Sequence, residues 1–249
     1  VLAFADDDVL FGPDWLTGVR SAFSDESVSL VGGPSQPLYE SAPDDWVHEF
    51  WSSGDGIESC SMLSLMNAGQ QRRALDPTHV GGLNFVIRRQ ALIDAGGFHP
   101  DGVPWDLRRF RGDGETGLCV ELAHMGREAV YEPSALVQHC IPNERLGLDY
   151  FVRRAFLQGI SDSYTAIRRS GRPDTVDKPT QLSWRRVLSG LRSRIPGLRT
   201  GADVSGPMRQ VRDAAIRGYE YHQAEVTADP KLLAWVTRPD YWDYSYPDN

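Results

Sequence analysis

The chain has 249 residues, of which 41% are hydrophobic, and its formal net charge at pH 7 is −8. This length supports one substantial core with an appendage, no apolar run reaches the roughly 18 residues that a membrane span needs, and the negative charge argues against a nucleic-acid-binding protein. Cys60, Cys119 and Cys140 are odd in number and lack the spacing of a zinc site, so we expect the reducing cytoplasm as the setting.

The first third of the chain alternates apolar runs with turn signals. Residues 1–5 are typical of a buried strand, and Pro13 opens a short helix that extends to about residue 23. Residues 28–33 predict a second strand closed by glycines, and a Pro-rich loop follows over residues 34–46.

The same alternation continues to about residue 140 and predicts an α/β sheet. We expect a strand at 84–88, a helix ended by Gly96 and Gly97, a helix ended by Gly126, and short strands at 127–133 and 134–140.

From residue 146 onward the pattern is helical. The predicted segments run to about residue 169, around residues 182–194, and over residues 208–226. We therefore divide the chain into a sheet-containing domain (1–145), a basic helical segment (146–200) and a helical tail (201–249).

Three consecutive aspartates, Asp6, Asp7 and Asp8, follow the first predicted strand. Adjacent carboxylates repel one another, so the triplet indicates that a cation is expected there. Open α/β sheets bind ligands at the carboxyl ends of strands, and hard oxygen ligands suit Mg²⁺ or Mn²⁺. The alternative is a solvated Asp-rich turn that caps the helix at Pro13.

Four stretches occur in an order and spacing that resembles a family 2 glycosyltransferase with the GT-A fold. They are ADDD (5–8), GGLNFVIRRQALIDAGGF (81–98), GDGETGLCVELAHMG (112–126) and YEPSALVQH (131–139), and the resemblance covers residues 1 to about 160. It implies a partial GT-A-like α/β fold, a mixed sheet with flanking helices, followed by a helical C-terminal extension.

The resemblance also implies an activity: metal-dependent, inverting transfer of a sugar from a UDP-, GDP- or dTDP-linked donor to a hydroxyl of a glycan or lipid-linked acceptor. Family members place two or more βα units ahead of the Asp motif, and a βαβ unit takes about 30 residues or more. We therefore expect this chain to be the acceptor-side part of a larger enzyme, with roughly 60–100 residues missing.

By resemblance, the metal ligands are Asp6, Asp8 and His139. Asp8 is the expected direct ligand, Asp6 also contacts the nucleotide side, and Asp7 between them belongs to the same donor site. Imidazole on Mn²⁺ is chemically reasonable, although a single histidine at a strand end is often an ordinary structural residue.

Glu115 is the candidate general base. Transfer to an alcohol needs a carboxylate near the acceptor hydroxyl, and a helix N-terminus favours the ionised form through its dipole. The family usually shows two adjacent acidic residues here, whereas this chain has Asp113, Gly114 and Glu115 in succession. Asp113 is therefore a rival base, and acids are also common in first helical turns for stability alone.

Further ligand contacts are expected from the loop at residues 81–84 and from Trp105. Gly81 and Gly82 would allow close approach of the backbone to the donor or acceptor sugar, and the Asn84 amide would bond sugar hydroxyls; the alternative is a plain turn that enters a strand. Trp105 could stack on an acceptor sugar or plug the core.

Residues 151–200 carry eleven Lys/Arg and three Asp, a local net charge of +8. Within residues 182–195 one helical face would be apolar, and its members are Trp184, Val187, Leu188, Leu191 and Ile195. A basic amphipathic helix with a Trp suits peripheral contact with the anionic inner face of the plasma membrane, and packing on its own domain is the alternative.

One further hypothesis concerns function as a whole. A non-catalytic glycan-binding or scaffold protein with a degenerate glycosyltransferase fold would show the same acceptor-side landmarks without the activity.

Overall fold

The computed structural model describes residues 1–174 and 205–247, which divide into two compact units. Unit 1 comprises Val1–Gly97 and Glu115–Leu146, and unit 2 comprises Phe98–Gly114 and the described residues from Gly147 onward. Residues 98–114, which we assigned to the first domain, therefore belong with the helical part of the chain. The predicted basic helix at 182–195 lies outside the described residues.

Unit 1 is built from eleven short strands, which we number in chain order. They are β1 (Leu2–Ala5), β2 (Val9–Phe11), β3 (Val28–Gly32), β4 (Ser35–Tyr39), β5 (Ser52–Gly54), β6 (Ile57–Cys60), β7 (Leu65–Asn67), β8 (Arg73–Leu75), β9 (Asn84–Ile87), β10 (Glu128–Tyr131) and β11 (Val137–Ile141).

The strands form two mixed sheets. The five-stranded sheet has the order β1-β9-β3-β10-β8, and the six-stranded sheet has the order β2-β11-β4-β7-β6-β5. Each sheet contains one parallel pair, β3 with β10 and β4 with β11, and the other pairs are antiparallel. The mixed α/β class predicted from the sequence is confirmed.

The predicted helices of unit 1 are also present: α1 (Trp15–Ala22), α2 (Arg89–Asp94) and α3 (Glu115–His124). Helix α1 buries Val19 and Ala22 against a cluster that includes Val31 of β3 and Val86 of β9. Helix α3 is followed by Gly126 at a positive φ of 66°, where glycine is favoured because it has no Cβ.

One prediction for this unit is confirmed in part and one is wrong. The strand at residues 1–5 forms, but it is exposed along its length rather than buried; among the described strands β1 lies at the edge of its sheet and pairs with β9. The Pro-rich stretch expected to be a loop contains β4, since Ser35–Tyr39 pairs in parallel with Val137–Ile141. That pairing outweighs the local turn composition.

Unit 2 is helical, with α4 (Leu148–Ser170), α5 (Gly206–Ala228) and α6 (Pro230–Thr237). The first two confirm the helices predicted to about residue 169 and over residues 208–226. Ser205 caps α5, because its hydroxyl accepts the Met208 N–H at 3.2 Å. The aromatic core of this unit contains Phe110, Tyr164, Trp235 and Tyr241. Among residues 1–174 and 205–247, none of the helices combines the length and apolarity that a bilayer crossing requires.

Candidate active site

The aspartate triplet lies where the chain passes from one sheet of unit 1 to the other. Strand β1 ends at Ala5, opposite Asn84 of β9, and β2 begins at Val9, opposite His139 of β11. The Asp8 carbonyl accepts the Cys140 N–H at 2.8 Å, which extends the second pairing by one residue. Two strand registers therefore place the triplet between the predicted sugar loop and the predicted histidine ligand.

Asp8 and His139 come together, and an arginine lies between them. His139 is buried, and its Nε2 atom is 3.5 Å from Asp8 Oδ2. Arg145 Nη1 donates to Asp8 Oδ2 at 2.8 Å and to His139 Nε2 at 2.9 Å. The sequence analysis did not identify Arg145, which follows β11 in a one-turn helix, Asn143–Arg145.

These contacts match one tautomer of the His139 ring. A guanidinium can only donate hydrogen bonds, so Nε2 of His139 accepts one and carries a lone pair. The proton is on Nδ1, which donates to the Leu63 carbonyl at 2.9 Å. A neutral imidazole whose far nitrogen is held by a backbone carbonyl is the form that a metal-ligating histidine takes.

The carboxylates of the triplet are in unequal environments. Partial desolvation raises the pKa of Asp6 above its ordinary value, and the negative charge of Asp8 adds to the shift, while the Arg145 guanidinium opposes it. Asp8 Oδ1 is buried without a hydrogen-bond partner. Asp7 is exposed.

These donors fit a divalent cation. An unpartnered carboxylate oxygen, an imidazole lone pair and a second nearby carboxylate are ligands that Mg²⁺ or Mn²⁺ accepts. Within the part of the chain that the structure describes, no group of three or more His, Cys, Asp or Glu side chains is arranged to hold a metal ion as it stands. Arg145 Nη1 lies within hydrogen-bond distance of both Asp8 and His139.

Glu115 is the first residue of α3 and contacts the predicted sugar loop. Its Oε1 atom accepts the Gly82 N–H at 3.3 Å, and a Cβ on Gly82 would lie 3.3 Å from the Glu115 carboxyl carbon. Gly81 begins the turn into β9, since its carbonyl accepts the Asn84 N–H at 3.2 Å. Because Asn84 is opposite Ala5, Glu115 and the Asp triplet lie at the same end of the β1–β9 pair.

Asp113 lies in unit 2 and has a different environment from Glu115. Its side chain is buried, Oδ1 is 2.5 Å from His99 Nδ1, and Oδ2 accepts the Thr165 hydroxyl at 2.6 Å. Oδ2 therefore ties the 98–114 segment to α4, and Oδ1 contacts His99 within the same segment. A carboxylate with these partners is a structural anchor, which favours Glu115 as the base.

Asn84 has partners other than the sugar hydroxyls that we expected. It is buried, its Oδ1 accepts the Trp15 indole N–H at 3.0 Å, and its Nδ2 donates to the Ala135 carbonyl at 2.8 Å. Its amide thus ties α1 and the chain before β11 to β9. Such a role positions the elements around the site.

Neither a protein-family model nor a curated protein sequence matches this chain. A function for the site is therefore inferred from its own geometry.

Trp105 belongs to unit 2 and is exposed rather than a core plug. Its side chain is 53% accessible, its ring is 5.7 Å from that of Phe156, and the Arg108 guanidinium lies 4.7 Å above it. An exposed indole ring that packs against neighbouring side chains offers a flat apolar surface of the kind that stacks on sugar rings.

Proposed function

We propose that unit 1 carries the catalytic site of a metal-dependent, inverting glycosyltransferase of GT-A type. The substrates are a nucleotide-sugar donor and a glycan or lipid-linked hydroxyl acceptor. The observation that carries the proposal is the Asp8–His139 pair, in which Asp8 Oδ1 is buried without a hydrogen-bond partner and Asp8 Oδ2 lies 3.5 Å from His139 Nε2. Glu115 at the same end of the β1–β9 pair supplies the base.

Asp6, Asp8 and His139 would hold Mg²⁺ or Mn²⁺. A divalent ion there neutralises the diphosphate of the donor as negative charge builds on it. A ligand set of two carboxylates and one imidazole suits either ion, and Mn²⁺ accepts the imidazole more readily than Mg²⁺ does.

Glu115 would take the proton of the acceptor hydroxyl. As that hydroxyl oxygen forms a bond to the anomeric carbon, the bond from this carbon to the diphosphate breaks, and the nucleoside diphosphate leaves with the electron pair. One displacement inverts the anomeric centre. The Gly82 N–H orients the carboxylate, and its position in the first turn of α3 favours the ionised form that a base requires.

Two variants test the roles of these side chains. Glu115→Gln keeps the shape and removes the proton acceptor, so turnover should fall by ~10²–10⁴-fold while donor binding is retained. Asp8→Asn should abolish transfer. The matched control is Glu121→Gln, an exposed acid on the same helix, which should leave turnover unchanged.

The measurement is nucleotide release from a panel of UDP-, GDP- and dTDP-sugars with Mn²⁺ and candidate acceptors. Equal turnover for Glu115→Gln and the wild type would remove Glu115 from the mechanism. Activity that survives both Asp8→Asn and excess EDTA would contradict the metal site.

A non-catalytic glycan-binding or scaffold protein is the second candidate. One observation favours it: Arg145 already neutralises Asp8. A site that had lost its metal ion would need such a cation to compensate the charge of the carboxylate. Mn²⁺ binding that depends on Asp8 would support the enzyme, and glycan binding without Mn²⁺ binding or nucleotide release would support the scaffold.

We further propose that the protein acts in the cytoplasm, where nucleotide-sugars are the donors, with peripheral contact at the inner face of the plasma membrane. The membrane contact was predicted for residues 182–195, which lie outside the described residues, so it depends on the basic amphipathic pattern alone.

A further inference from the structure

Arg145 contacts both Asp8 and His139, two of the side chains that would hold the cation. Its Nη1 atom lies 2.8 Å from Asp8 Oδ2 and 2.9 Å from His139 Nε2. The Asp8 side chain is 22% exposed and that of Arg145 is 34% exposed, so the guanidinium reaches the site from the solvent side.

We propose that Arg145 is a displaceable counter-ion, which holds Asp8 and His139 in the metal-free protein and transfers to the donor diphosphate when the divalent ion binds. This inference rests on the proposed function. It assigns Arg145 a role as a positioning residue before metal binding and as a phosphate ligand afterwards.

The first part of the role follows from the charges. Asp8 lies beside two further carboxylates, Asp6 and Asp7, and without a cation this arrangement is repulsive. Arg145 neutralises Asp8 and donates a hydrogen bond to the lone pair of His139 Nε2. A metal ion must therefore compete with the guanidinium for the same two atoms.

The second part follows from the chemistry of the displaced group. A guanidinium presents five N–H donors in a planar fork that matches phosphate oxygens, and it stays charged at any physiological pH. Its new partner must be an anion within reach of a side chain anchored just beyond β11. The diphosphate that the metal recruits is such an anion.

The two parts predict effects of opposite sign in one variant. Arg145→Ala removes the competitor, so Mn²⁺ alone should bind about three- to tenfold more tightly. The same change removes a phosphate ligand, so manganese pyrophosphate should bind about tenfold or more weakly to the Mn²⁺-saturated protein. A purely structural role would weaken both.

The experiment measures Mn²⁺ binding by electron paramagnetic resonance of the free ion and pyrophosphate binding by calorimetry. Arg89→Ala is the control, because it removes the same charge from an exposed position of unit 1 and should change neither affinity. Arg145→Gln, which keeps a hydrogen-bond donor without the charge, repeats the test if Arg145→Ala does not fold.

Unchanged or weaker Mn²⁺ binding by both Arg145 variants overturns the competition, and unchanged pyrophosphate binding overturns the transfer to phosphate. An Asp8→Asn arm separates these failures from failure of the proposed function. If Asp8→Asn binds Mn²⁺ as the wild type does, the metal site itself is wrong; if it loses Mn²⁺ binding, an unchanged Arg145→Ala contradicts only the role of Arg145.

Discussion

Helices α4 and α5 of unit 2 meet at two glycines, and replacing either glycine by alanine tests this packing. A Cβ on Gly159 would lie 2.7 Å from the Tyr219 amide nitrogen and closer still to the Ala215 carbonyl oxygen. A Cβ on Gly218 would meet the Phe156 carbonyl group in the same way. Each helix therefore presents a glycine to the backbone of the other.

The size of the effect follows from these distances. A Cβ on Gly218 would lie 2.8 Å from the Phe156 carbonyl carbon, 0.6 Å shorter than the 3.4 Å at which ordinary contact begins, and the obstructing atoms are backbone atoms that no rotamer change can move. Overpacking costs typically 1–3 kcal/mol, and because the backbone itself must shift here we take about 3–5 kcal/mol, of which alanine regains about 1 kcal/mol through helix propensity. We expect Gly218→Ala to lower the free energy of unfolding by about 2–4 kcal/mol.

The assay is equilibrium urea unfolding followed by far-UV circular dichroism and tryptophan fluorescence. The control is Gly206→Ala at the start of α5, where a new Cβ would have no neighbour within 4 Å, and we expect a change within about 0.5 kcal/mol. If Gly218→Ala and Gly159→Ala are both as stable as the wild type, the helices do not pack backbone against backbone, and this account of unit 2 is wrong.

Two further predictions concern buried polar groups. Asn84→Ala should cost about 2–4 kcal/mol, because the Trp15 indole N–H and the Ala135 carbonyl both lose their partner; a loss under 1 kcal/mol in urea unfolding would mean that water replaces the amide. Burial lowers the pKa of His222 from 6.5 to about 4, so the unfolded chain takes up this proton first as the pH falls. The stabilising contribution of neutral His222 is therefore fully present above pH 6.5 and is lost as the pH falls towards 4. Between pH 7 and 4.5 the free energy of unfolding of His222→Gln should fall by about 2–3 kcal/mol less than that of the wild type. An equal fall in both proteins would contradict this assignment.

Local sequence signals were sufficient for helices α1 to α5 and for strands β1, β3, β9, β10 and β11, whereas α6 was not predicted. Apolar residues at helical spacing, closed by Gly126 in unit 1 or running unbroken over 148–170 and 206–228 in unit 2, produce helices because the hydrogen bonds of a helix join neighbours along the chain. The Asp triplet was a candidate cation site because residue type limits what can bind a hard cation, and His139 was a candidate ligand through the family resemblance.

The roles within the site were decided by tertiary structure. Asp113 and Glu115 are two residues apart and chemically equivalent in the sequence, yet one carboxylate is buried between His99 and Thr165 and the other contacts Gly82. No pattern within the segment distinguishes them, because the partners come from elements remote in sequence.

Strand pairing and charge compensation depended on the same long-range contacts. The turn-like composition of Ser35–Tyr39 becomes a strand because residues 137–141 pair with it, and the apolar run Leu2–Ala5 is exposed because it lies at a sheet edge. The sequence did not indicate Arg145 as a site residue, because its role depends on contacts with Asp8, 137 positions earlier in the chain, and with His139. A sequence determines which groups are available, and only the folded chain determines which of them meet.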